Sequence, residues 1–203
     1  MKRFEKIIHG LIIGSTFPIL LGLSSVVIWF CFDRSENRPV IYLAAGLLLG
    51  LATDLLFLKG WIRNRFDLPV WFMAAIYIVD NILVYGFFMG FPVFNVFLGL
   101  FAGYYSGNRI CFKKVEPEKH SKLINQVSLF AGLIMTLICI SSGFLALVGY
   151  GAGGMIKELL GLGFEVTKPM VLGIVLIGGL TLIITNIILT RITMIKTIKI
   201  NTR

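Results

Sequence analysis

The chain has 203 residues, 57% of them hydrophobic and 14% charged, with a formal net charge of +9 and a mean hydropathy of +0.91. That is too apolar for a soluble domain, which must still clothe its surface in polar groups, and it places the chain in a lipid bilayer. The positive charge does not point to nucleic acid: the cations are divided among short segments between apolar runs, where anionic lipid headgroups are the nearer partner.

Apolar runs bounded by charge or proline, each near the roughly 20 residues that a 30 Å hydrocarbon core requires, predict six transmembrane helices in one polytopic domain, an all-α membrane bundle. The first, about 7–30, follows Lys2, Arg3 and Lys6. It is expected to be retained rather than cleaved as a signal, because the run reaches Phe30 and no Ala-x-Ala-like site follows. Gly10, Gly14, Pro18 and Gly22 recur along it at four-residue steps, and Pro18 is expected to kink it. His9, at its edge, reads as an interfacial polar residue.

The second span, about 40–58, opens at Pro39 and carries Gly46, Gly50 and then Asp54 on one face. The third, about 69–89, opens at Pro69 and contains the stretch YIVDN, Tyr77 to Asn81. Met89, Gly90 and Phe91 alone separate it from the fourth, about 92–108, so these two should form a tight hairpin. The fourth opens at Pro92 and carries Asn95, Gly99, Gly103 and Gly107 on one face, the small-residue spacing that lets bilayer helices approach closely.

The fifth span, about 124–149, follows a charged loop that holds Pro117. Beyond it the segment Gly149 to Pro169 is glycine-rich but lacks the GK[ST] ending of a phosphate loop, and Met155 to Leu162 reads as a short interfacial helix that caps an outward cavity or covers helix ends. The sixth, about 170–190, opens at Pro169. After it, Ile192, Ile195 and Ile198 alternate with Arg191, Lys196 and Lys199, as suits a helical continuation lying along the inner leaflet.

Lys and Arg concentrate in cytoplasmic segments near the membrane. Fifteen of the nineteen fall at the amino terminus, in the second and fourth loops and at the carboxyl end, against Arg34, Arg38, Lys157 and Lys168 on the other side. Both termini are therefore expected to be cytoplasmic, in a cell (inner) membrane. Cys31, Cys111 and Cys139 fall at the outer face, the inner face and within a span, and His9 and His120 lie far apart, so no metal motif and no cofactor is implied.

Two acids lie within the spans, Asp54 and Asp80. Asp54 stands about one turn before Lys59, where water or a snorkelling cation would satisfy it. Asp80 lies eleven residues after Pro69, about 16 Å along the helix and near mid-membrane. An aspartate there costs about 3 kcal/mol on insertion scales, and the cheapest form is the neutral, hydrogen-bonded acid. Tyr77 and Asn81 share its helix and Asn95 opens the next, so Asp80, Asn81, Tyr77, Asn95 and Asp54 are the candidate substrate- or ion-binding residues, with Gln126 and Asn186 secondary.

A polar site at mid-membrane points first to a small transporter or channel-like protein, alone or as a subunit of a larger transport complex. The alternative is an accessory or assembly subunit, in contact with other membrane subunits or a second copy, whose polar residues only join helices. An intramembrane lipid-modifying enzyme ranks last, since no nucleophile and base stand together. In size and topology the plan resembles the substrate-binding membrane subunits of energy-coupling-factor vitamin transporters, but no motif carries a residue across from them.

Overall fold

The computed structural model describes residues 2–33, 38–88, 90–148, 154, 161, 163 and 165–202, with first-helix side chains described at residue 10 and from residue 13 onward. Every regular element among them is helical: α1 (Lys2–Phe32), α2 (Pro39–Arg63), α3 (Val70–Phe87), a 3₁₀ turn (Pro92–Asn95), α4 (Val96–Phe112), α5 (Pro117–Val148) and α6 (Lys168–Asn201). Five of these, α1, α2, α3, α5 and α6, are long and apolar enough to cross a membrane. Large apolar side chains cover their outer faces: Leu55 is 86% exposed, Phe87 82% and Leu56 76%. Such a surface belongs in lipid, and the chain is an all-helical, multi-pass membrane protein.

Several helices run past the apolar stretches that predict them. Pro117 opens α5, with Glu118 in its first turn, instead of lying in a loop. Proline suits a first helical position and an acid there favours the helix dipole, so the helix begins seven residues before the predicted span. At the other end α6 continues in helix to Asn201. Its last turns do not simply lie along the leaflet: Met194 and Ile198 are buried with Ile110 of α4 and Ile124 of α5, leaving Ile192 and Ile195 each 44% exposed. The proposed interfacial helix at Met155 to Leu162, apart from Gly161, and the side chain of His9 lie outside the described residues.

The chain divides into two compact units, Met1–Leu83 and Val84–Arg203, each described here by itself. In the first, α1 and α2 pack antiparallel through the glycine faces read from the sequence. A Cβ at Gly10 would meet Ile62, one at Gly14 would meet Leu58, and one at Gly22 would meet Leu47. From the other side Gly46 lies against the backbone of Leu21 and Gly22, and Gly50 against that of Pro18. With no room for a Cβ at Gly46 or Gly50, the two backbones come together as bilayer helices do at small residues. Helix α1 runs on through Pro18. Phe17, Trp61 and Phe72 then join α1, α2 and α3, with Phe17 stacked on Trp61 at 4.8 Å between centroids and Trp61 5.6 Å from Phe72.

In the second unit α4 and α6 run parallel. Gly99 packs against Asn186 and Thr190, Gly103 against the Thr190 carbonyl and Thr193, and Gly107 against Met194 and Thr197. Helix α5 runs antiparallel to α6, with Gly132 against Ile187 and Gly143 against Val175. Val96, Met135 and Cys139 form the core there. Gly90, in the left-handed region at φ +84°, lies between α3 and the 3₁₀ turn, and its carbonyl accepts a hydrogen bond from Ser142 at 2.8 Å. Farther along, Asn201 donates to the Asn108 side chain at 2.9 Å, tying α6 to α4.

Candidate functional site

Asp80 meets α1. The hydroxyl of Thr16, midway along α1 and 2% exposed, donates to Asp80 Oδ1 at 2.8 Å. This is the compensation that an aspartate deep in a span requires, and it comes from a residue 64 positions away. Sequence reading missed Thr16 because a lone hydroxyl in a transmembrane helix is cheap and raises no flag: it can return its bond to its own backbone, as Thr53, Thr136 and Thr181 do here.

Asp54 comes to the other flank of α1. Its Oδ2 would lie 3.7 Å from a Cβ at Gly14, two residues before Thr16 and thus about 3 Å away along the axis. The two acids therefore abut α1 at nearly one level, and the expected difference in depth does not hold. Lys59 misleads as a boundary marker. The antiparallel register sets it between the levels of Gly10 and Gly14, well inside the basic start of α1, where an exposed lysine reaches the interface by snorkelling. Asp54 is accordingly 7% exposed rather than wetted, and its Oδ1 is buried without a hydrogen-bond partner among the described residues.

Pro18 adds a second acceptor nearby. Having no N–H, it leaves the Gly14 carbonyl without its helical donor, and Pro18 itself packs on Gly50, one turn from Asp54 along α2. An acid and a freed carbonyl thus share one stretch of the α1–α2 seam. No Lys, Arg or His lies on the described side chains of α1 or on α3, and those of α2, Lys59 and Arg63, stand near its end.

The remaining predicted residues divide between the units. Asn81 is 1% exposed and donates to the Tyr77 carbonyl of its own helix at 2.9 Å. Tyr77 is half-buried. Asn95 belongs to the second unit, where it is fully buried and its carbonyl accepts from Asn186 at 3.5 Å. Thr190 is also fully buried, while Asn186 Oδ1 and Ser128 Oγ have no hydrogen-bond partner among the described residues. Gln126, proposed as a lining residue, is exposed on the outer face of α5. Among the described residues no three His, Cys, Asp or Glu side chains gather as a metal site requires.

One turn beyond the Thr16–Asp80 bond an open groove of about 440 Å³ runs between α1 and α3. Leu20, Leu23, Val27 and Ile28 form one wall and Val79, Ile82 and Leu83 the other, with Ser24 the one polar lining residue. The groove extends away from the basic amino-terminal end of α1. No family model, no curated protein and no solved structure matches the chain.

Proposed function

We propose that this protein is a small transporter or channel-like protein, alone or as a subunit of a larger transport complex, with its working site at the middle of α1. The observation that carries this reading is the pair of acids abutting α1 at one level, Asp80 on Thr16 and Asp54 beside Gly14, with one oxygen of Asp54 unbonded among the described residues. A structural strut needs neither the second acid nor an orphaned oxygen, and buried polar groups without partners concentrate where a ligand or ion completes them. Six crossings, with spans three and four in a tight hairpin, complete the proposal. Helix α4 alone is about 26 Å long, short of the hydrocarbon core, but the 3₁₀ turn before it adds about 8 Å. Both termini are placed on the cytoplasmic side of a cell (inner) membrane, where fifteen cations face anionic headgroups.

An accessory role remains as a second reading because the Thr16–Asp80 bond also joins two helices. Asp80→Asn separates the two, since asparagine keeps the shape and still accepts from Thr16 but cannot carry the charge or the exchangeable acid proton. Proteoliposomes bearing wild type and Asp80→Asn are compared for uptake of a panel of labelled solutes and cations. The transport reading expects a wild-type flux that the variant loses while its melting temperature stays close to wild type. A variant that moves every solute as wild type does would leave Asp80 as a strut.

A further inference from the structure

We propose that the groove between α1 and α3 binds an aliphatic amine, its chain along the groove and its ammonium on Asp80. The inference rests on the transport reading for its purpose, and on geometry for its chemistry. The volume of about 440 Å³ lies within the range of roughly 300–1,000 Å³ typical of small-ligand sites. Leu20 to Ile28 covers about 12 Å of helix, a long slot suited to an extended chain. Its walls are leucine, isoleucine and valine and offer no hydrogen bond except at Ser24, so what fills them is hydrocarbon.

The head group is set by what lies at the inner end. Asp80 does not itself line the groove, but Leu20 is one turn past Thr16 and Leu83 one turn past Asp80, so the inner end lies about one helical turn from the carboxylate whose one hydrogen bond among the described residues is the 2.8 Å bond from Thr16. A cation there meets an acid with no Lys, Arg or His among the described side chains of α1 or on α3 to compete for it. A quaternary ammonium is ordinarily held by an aromatic cage, and the groove has no aromatic side chain. An amine with N–H donors suits Asp80 better, because it forms a charge-assisted hydrogen bond. The groove's open side, where Leu23 is 50%, Val27 60% and Ile82 56% exposed, faces lipid, from which an amphipathic amine enters without crossing water.

The test is photolabelling of the full chain in nanodiscs with a diazirine-bearing octylamine, mapped by peptide mass spectrometry. Labels are expected within 20–28 and 79–83. Octylamine should compete roughly tenfold or more better than octanol or octanoate, the scale of one charge-assisted hydrogen bond. That preference should disappear in Asp80→Asn and persist in Asp67→Asn, an exposed acid of the same unit. Leu83→Trp, which fills the groove and leaves Asp80 in place, should lose the label while melting as wild type does. Equal competition by the three compounds means the groove holds any lipid chain and overturns the proposal, as does an amine preference that survives Asp80→Asn. Binding is read without transport: an amine preference with no Asp80-dependent flux keeps the site and removes the transporter, and flux without the preference does the reverse.

Discussion

Asp54 and Asp80 differ in how their burial is resolved. Asp80 receives a hydroxyl, whereas one oxygen of Asp54 receives nothing from the described residues. A buried acceptor without a partner costs about 1–3 kcal/mol, so a protein that retains Asp54 gives up stability for it. Asp54→Ala is therefore expected to raise the melting temperature in detergent, by an amount equivalent to about 1–3 kcal/mol, while reducing Asp80-dependent flux. A fall in melting temperature would mark Asp54 as a structural strut instead. The sequence made both acids visible, since an aspartate in a greasy run stands out against its neighbours. It could not show their partners: Thr16 is far away in the chain, and Lys59, five residues on, makes Asp54 read as shallow.

Among the helices, glycine spacing was the most readable feature. Gly46 and Gly50 meet α1, and Gly99, Gly103 and Gly107 meet α6, each in tight contact. The pattern predicted that these faces would be covered, because a Cβ-free ridge gains from close approach only when another helix fills it. It did not identify the covering helix, which for α4 is the distant α6 and not a chain neighbour. Gly103→Leu would drive a side chain into the Thr190 carbonyl and should lower the melting temperature by the equivalent of about 3 kcal/mol or more, whereas Gly163→Leu, with nothing within 4 Å, should change it little. Equal shifts would show that the glycine contact does not limit stability. Helix ends were less readable than helix faces. Periodicity and hydropathy register lipid, so they stop where α5 and α6 leave it, although Ile110, Ile124, Met194 and Ile198 continue the packing beyond.

For the whole molecule, the apolar exterior was legible from composition, and charge supplies the proposed threading. Antiparallel packing brings the basic start of α1 beside the basic end of α2, and parallel packing brings the basic ends of α4 and α6 together. Within each unit most of the described cations thus gather at one end of the packed helices, with Arg38 and Lys168 at the other. With single cysteines in a Cys-free protein, positions 36 and 158 should react with an impermeant thiol reagent added to intact cells and position 122 should not. Labelling at 122 alone would reverse the orientation.

The parallel seating of α4 on α6 also sets a timetable. Neighbours that run the same way cannot be made as a hairpin, and here the whole of α5 and the segment after it are synthesised between them. Until α6 has been made, the glycine ridge of α4 has only lipid or other proteins to face. The packing of α4 in the second unit is therefore completed only when the 34-residue α6 arrives.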